Sequence, residues 1–188
     1  MKNIKEKYQK EVIPLLKEKF GYKNNLAVPR IIKVVVNTGF NPSARNEKDQ
    51  KEIADDLSAI TGQKPVFRQS KISEAGFKIR KGMIVGLSAT LRGRKMYDFL
   101  NRLVNIALPR FRDFRGLPEK NIDKDGNLNI GIKEHIVFPE ISAESAKNIF
   151  GFEIAIVTTA KNKEQGIELF KLLGFPIKID KKEKKSSI

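Results

Sequence analysis

The run PVFRQSKISEAGFKIRKGMIVGLSATLRG, Pro65–Gly93, decides how the chain folds. In its second half Met83, Val85, Leu87, Ala89 and Leu91 alternate with Ile84, Gly86, Ser88, Thr90 and Arg92. This period of two predicts a strand with one apolar face and one face of mainly small or polar side chains. The opening PVFRQ reads as a second, shorter strand, and two strands so close in sequence are expected to pair antiparallel. Between them Gln69–Gly82 carries five charges, two glycines and Phe77. A connection of that length exceeds the usual ~4 to 6 residues, so it is either a disordered tether or a working surface. The small-residue face of the second strand is equally open to two readings. It either receives an RNA backbone, with Thr90 and Arg92 as donors, or is the ordinary solvated side of an antiparallel sheet.

Outward from this pair, strands and helices alternate. PRIIKVVVNTG (Pro29–Gly39) is β-branched and reads as a central strand. Ile4, Tyr8, Val12, Leu15 and Leu16 space an N-terminal helix with a kink or break at Pro14. Ile53, Leu57 and Ile60 place a stripe on a helix over 47–61, stopped by Gly62. A third helix is predicted over 94–108, ended by Pro109. The Asp125-Gly126 turn leads into the strand NLNIGIK, SAESAKNIF suggests a short helix, and FEIAIVTTA is a strand. A final helix starts at the Asn162 cap and stops at Gly174. The expected fold is α+β: a two-layer sandwich of a mixed, largely antiparallel sheet with helices packed on one face, the other face free to bind. One domain over 1–179, including the long basic loop 69–82, is expected, followed by a disordered lysine-rich tail over 180–188.

Composition limits function. The chain has 188 residues, a net charge of +15, no cysteine and one histidine. Disulfides and thiolate metal sites are excluded, and no metal or cofactor is expected. The N-terminus lacks an apolar signal core and no segment approaches a membrane span, which points to a cytoplasmic protein with no membrane partner. The charge is clustered. Residues 64–115 hold thirteen Lys/Arg against three acids and eight of the ten arginines. Diffuse solubility charge does not cluster in this way, whereas arginine's planar fork suits phosphates and base edges. In PRFRDFRGLP, Arg110, Arg112 and Arg115 interleave with Phe111 and Phe114. Either the rings stack on bases, or they are core and the arginines are solvated.

Catalysis finds no constellation. His135 stands alone beside Glu134, and GNLNIGIK (Gly126–Lys133) fails as a phosphate loop because Ile132 occupies the lysine position. A binder of folded RNA is the reading left. The alternatives are an RNA-modifying enzyme and a general polyanion-binding protein.

VVVNTG, ITGQKP, AGFKIRKG, ATLRG, ALPRFRDFRGL, GIKEHIVFPEI and VTTAK, in this order and spacing, resemble the bacterial large-subunit ribosomal proteins number five, the family that binds 5S rRNA. The resemblance runs from about Tyr8 to Ile179. It implies a ribosome-bound structural protein, one copy per particle, that docks 5S rRNA and the large-subunit rRNA together in the central protuberance. It further implies contact with P-site tRNA and a bridge to small-subunit head protein thirteen. The family's 5S rRNA contacts match Asn37, Gln63, Phe77 and Thr90, and its tRNA-facing loop matches the stretch holding Lys71, Lys78, Arg80 and Lys81. Arg92, Arg110, Arg112 and Arg115 are further candidate RNA contacts. The chain departs from the family pattern at Gln69 and Ile72, where Lys or Arg is usual, at Glu74, at Thr38 and Asn41, and at His135, where Gln is common.

Overall fold

The structure, a computed structural model, describes residues 3–42, 45–111, 114–141 and 148–178. Helix α1 runs as Ile4–Lys7, a wider π-turn Tyr8–Val12, and Ile13–Phe20. Strand β1 is Ile31–Gly39, α2 is Glu47–Thr61, β2 is Val66–Gln69 and β3 is Ile84–Leu91. Helix α3 runs as Gly93–Arg102, a π-turn Leu103–Ala107, and Leu108–Arg110. Then come β4 (Leu117–Pro118), β5 (Leu128–Ile132), β6 (Phe152–Thr158), α4 (Lys163–Leu173) and β7 (Ile177–Lys178).

Five strands form one sheet in the order β2-β3-β1-β6-β5. Every pairing in it is antiparallel. The only parallel pairing among the described residues is the two-residue β4–β7 contact, which stands outside this sheet. The expected α+β sandwich is observed, with its mixed character confined to that small pair. One face of the sheet is the core floor: Val34, Val36, Leu87, Leu91, Ile154, Ile156, Leu128 and Ile130 are all buried. The helices lay Leu16, Ile53, Leu57, Ile60, Met96, Phe99, Leu100, Leu103, Leu169 and Phe170 onto it, all part of the same buried cluster. A buried Leu, Ile or Phe contributes roughly 1.5–3 kcal/mol, so this layer contact dominates the fold's stability.

Of the two sequence expectations about proline, the stop at Pro109 needs correction and the kink or break at Pro14 is narrowed, since no break occurs there. Pro14 does not break α1, and Pro109 does not end α3, which continues to Arg110. Each proline sits in the turn just after a π-turn, where the Ile13 N–H reaches the Tyr8 carbonyl and the Leu108 N–H reaches the Leu103 carbonyl. Proline cannot supply the i to i−4 bond and its ring clashes with that carbonyl; the five-residue step absorbs both defects, so the helix passes through. The SAESAKNIF helix falls largely outside the described residues, as does the tail over 180–188.

The helix ends follow their caps. Asn46 and Asp49 exchange side-chain and backbone bonds in a full capping box at α2, and Gly62 closes it at φ +67°. At α4 the Asn162 side chain accepts from the Gln165 N–H, while Gln165 reaches the Lys161 N–H. The Asp-Gly turn also serves packing. A Cβ on Gly166 would stand 2.5 Å from the Gly126 Cα, so α4 sits against this turn only because neither residue has a side chain.

Candidate nucleic-acid interface

The long connection after β2 is not an open loop. Ser70 and Gly82–Met83 exchange backbone bonds (Ser70 N–H to Met83 O, 2.8 Å; Gly82 N–H to Ser70 O, 2.9 Å). Farther out, Glu74 and Ile79 bond reciprocally at 2.8 and 3.0 Å. The strands β2 and β3 therefore continue as a narrow arm closed by the turn Ala75–Phe77. Lys78 completes that turn in the left-handed region at φ 55°. The Lys81 N–H donates to Ser73 Oγ at 3.0 Å and Ser70 Oγ to the Ile72 carbonyl, so the short polar side chains of the arm tie it down locally. About five residues on each side extend it roughly 15 Å from the sheet. Periodicity missed this because the arm has no buried face to impose one.

The arm carries its charges outward. Lys71, Lys78, Arg80 and Lys81 are all exposed, as is Glu74. Phe77 at the tip is 68% exposed and Ile72 is 75% exposed, so two large apolar side chains stand on the arm beside its charges.

The open face of the sheet lies behind the arm. Residues directly opposite in antiparallel strands share a face, and the register sets Val66, Ser88, Asn37, Glu153 and Gly131 in one row across all five strands. The next row holds Thr90, Val35, Ala155 and Asn129. Asn37 and Thr90, singled out from separate stretches of sequence, thus stand on one solvent-facing surface, and both are exposed. Neighbouring Thr38 points the other way: it is buried and its hydroxyl donates to the Gly151 carbonyl at 2.7 Å. Position 38 is therefore part of the core, and the Asn37 side chain is left to the open face.

Gln63 follows the α2 cap, beyond the Val66–Ser88 pair toward the Thr90 end of β3, and its Oε1 accepts from Lys95 Nζ at 2.9 Å. Phe77 stands apart at the opposite end, so the four candidate contacts run along the β1–β3–β2 half and out onto the arm. Arg92 is exposed just before α3, Arg110 at its end and Arg115 ahead of β4. Arg112 lies outside the described residues. Phe111 and Phe114 are half-buried, packed on the core and 6.2 Å apart, so the interleaved rings serve packing while Arg110 and Arg115 are exposed.

His135 is fully buried. Its ring stacks on Phe150 at 4.1 Å, its Nδ1 accepts from the Phe150 N–H at 3.4 Å, and its Nε2 lies 3.6 Å from Asp56 Oδ2. Burial lowers its pKa below the ordinary value, and burial likewise raises that of Asp56. The group fastens the start of β6 to α2, with no opening to a substrate. Nearby, Arg102 pairs with Glu140 and donates to the Ile60 carbonyl at 3.0 Å, joining α3 to the end of α2. Among the described residues no group of three His, Asp or Glu side chains is placed to hold a metal ion. No helix among them is long and apolar enough to cross a membrane.

Sequence reasoning missed the β5–β6 half of the open face, where Asn129, Gly131 and Glu153 are exposed. The alternation in NLNIGIK and FEIAIVTTA carried that signal, but only the register shows that these residues line up with Asn37.

Comparison with known proteins places the chain among close relatives. The family model described as ribosomal protein L5 matches residues 24–80, and the one describing the C-terminus of the same ribosomal family matches residues 84–177. The two matches meet within the arm, and β2 from the first pairs with β3 from the second. The chain is 50% identical over 176 residues to the large ribosomal subunit protein uL5 of Halothermothrix orenii, covering 94% of this chain and 98% of that protein. The uL5 protein of Thermoanaerobacter sp. is similar to the same degree, 50% over 176 residues, with 94% and 98% covered. That of Desulforapulum autotrophicum is 49% identical over 178 residues, with 95% and 99% covered.

Proposed function

The chain belongs to the ribosomal protein L5 family, whose members are structural components of the large ribosomal subunit and not enzymes, and from that premise we propose that it binds 5S rRNA through the open face of its sheet. In this reading it attaches 5S rRNA to the rest of the large subunit in the central protuberance. Asn37, Gln63 and Thr90 supply amide and hydroxyl hydrogen bonds, and Phe77 stacks or packs against the RNA. Lys71, Lys78, Arg80 and Lys81 carry the arm toward P-site tRNA by charge and shape, since every tRNA must be accepted. A contact with small-subunit head protein thirteen completes the set of partners.

The observation that carries this reading is the row structure of the open face. Asn37 and Thr90 stand exposed among Ser88, Gly131 and Ala155, small residues that let a sugar-phosphate backbone come close. Double-helical RNA offers a shallow groove of 2′-hydroxyls and phosphates, and its loops offer unpaired bases; both suit a surface of amides and hydroxyls bordered by cations.

The test is equilibrium binding to a 5S rRNA transcript and to an unrelated RNA of equal length in roughly 0.2 to 0.3 M salt, where nonspecific attraction is strongly weakened. A preference for 5S rRNA of at least tenfold is expected. Equal affinities would reject the proposal and favour a general polyanion binder, and turnover of either RNA would revive an enzyme.

A further inference from the structure

Among the described strand residues of the open face, Glu153 alone is acidic. It is exposed, stands directly opposite Asn37 on one side and Gly131 on the other, and no described side chain pairs with its carboxylate. A carboxylate accepts hydrogen bonds and donates none. On the face of a +15 chain that is offered to RNA, it repels phosphate and lowers affinity unless the RNA brings donors to it. Bases bring them: amino and imino N–H groups lie side by side on the Watson–Crick edge of guanine, free only where the base is unpaired.

The neighbours fit such a base. The Asn37 amide, on the facing residue about 5 Å away between Cα atoms, can donate to the guanine O6. A Cβ built on Gly131 would meet nothing within 4 Å, so no contact inside the chain demands glycine there. Its missing side chain clears space beside the carboxylate for a flat ring. We propose that Glu153, together with Asn37, reads an unpaired guanine of the bound RNA, accepting from its N1–H and N2–H groups. The inference rests on the open face being the RNA-binding surface.

The test compares the wild-type chain with Glu153→Gln on a 5S rRNA transcript and on the equally long control RNA. Charge alone predicts that removing a negative group tightens both. Base reading predicts the opposite sign on 5S rRNA, a loss of at least about fivefold, the low end of what one good base contact is worth, with control binding unchanged or tighter. A second arm uses 5S rRNA transcribed with inosine in place of guanosine in the protein-protected segment, which removes the N2 amino group. Wild type should lose affinity for it and Glu153→Gln should lose little more. Equal or tighter 5S rRNA binding by Glu153→Gln, or fully additive losses, would overturn the inference while leaving the open face as the RNA surface. Lack of any 5S rRNA preference in the wild type would overturn both. Thermal melting of Glu153→Gln should match wild type, because the side chain supports nothing in the core.

Discussion

Acidification should destabilise this chain through one residue, and the His135→Gln variant should lack that effect. His135 Nδ1 accepts from the Phe150 N–H, so the neutral ring carries its proton on Nε2, facing Asp56. A second proton must go to Nδ1, where it meets the Phe150 N–H; the backbone bond is lost and a cation is left fully buried. Burial therefore holds the His135 pKa below 6.5, outweighing the Asp56 carboxylate, which acts to raise it. The folded state binds this proton less readily than the unfolded chain. Stability is then complete above about pH 6.5 and declines as the pH falls from there toward the folded pKa. One proton sets the limit of the slope at about 1.4 kcal/mol per pH unit, or about 3 to 6 °C in Tm for a chain of this size. Asp56 has the opposite sign: burial raises its folded pKa, so acid relieves it, nearer the carboxylate range and below most of the His135 window. Glutamine keeps an acceptor for the Phe150 N–H and does not titrate. The measurement is thermal unfolding by circular dichroism at pH 7.5, 6.5, 5.5 and 5.0 for both proteins. The wild-type curve should fall away from the variant's below pH 6.5, and parallel curves would refute the assignment of the buried neutral tautomer.

Asn37→Ala and Thr90→Ala should each weaken 5S rRNA binding by ~1 to 3 kcal/mol, as loss of one partner of a desolvated hydrogen bond does, with thermal midpoints unchanged; wild-type affinity in both would remove this face from consideration. Combining Lys78→Gly, which suits the left-handed backbone at 78, with Arg80→Gln and Lys81→Gln should leave 5S rRNA affinity within about threefold while accelerating loss of P-site tRNA from ribosomes, a change of about 0.7 per contact in the salt slope. Failure of that variant to bind 5S rRNA would show that the arm and the sheet face are one site. Gly166→Ala should destabilise the fold by about 1 to 3 kcal/mol in urea titration, because the added methyl meets Gly126 backbone at 2.5 Å and neither helix nor turn can withdraw cheaply.

What could be read in advance follows from what burial imposes on sequence. The strands that line the core, β1, β3, β5 and β6, alternate because one side of each is sealed, and Ile53, Leu57 and Ile60 recur because α2 lies on that same floor. The arm has no sealed side, so its pairing leaves no pattern beyond Ser70, Ser73 and the turn at Gly76; its backbone bonds could not be anticipated from hydrophobicity. Prolines misled for a related reason. Pro14 and Pro109 signal a stop only if the preceding turn is α-helical, and a π-turn carries no residue code of its own. At the interface, Asn37, Gln63, Phe77 and Thr90 came from resemblance, and the β1–β3 register explains why two of them belong together. Glu153 escaped notice because an acid in an RNA-binding chain looks like ordinary surface until Asn37 is seen across from it.

The separation of charge from the open face has a physical consequence. Thirteen of the chain's cations fall in residues 64–115, with Lys71, Lys78, Arg80 and Lys81 exposed on the arm, whereas the two central rows of the open face contain none. Phosphate contacts bring affinity that is indifferent to sequence and falls steeply with salt; amides, hydroxyls and a carboxylate bring geometry that phosphates cannot satisfy. Placing the first kind outside the central rows and the second within them lets any RNA be attracted but only one of the right shape settle. A cation in place of Asn37 or Glu153 would blunt that distinction, because it would reward every backbone equally. The expected mark of this arrangement is a specificity ratio that rises with salt: 5S rRNA binding should decay more slowly than control binding between roughly 0.1 and 0.3 M. Replacing Glu153 with Lys should flatten the ratio, because control binding tightens while 5S rRNA loses the base contact, and a ratio insensitive to both salt and that substitution would show that cations, not the central rows, do the selecting.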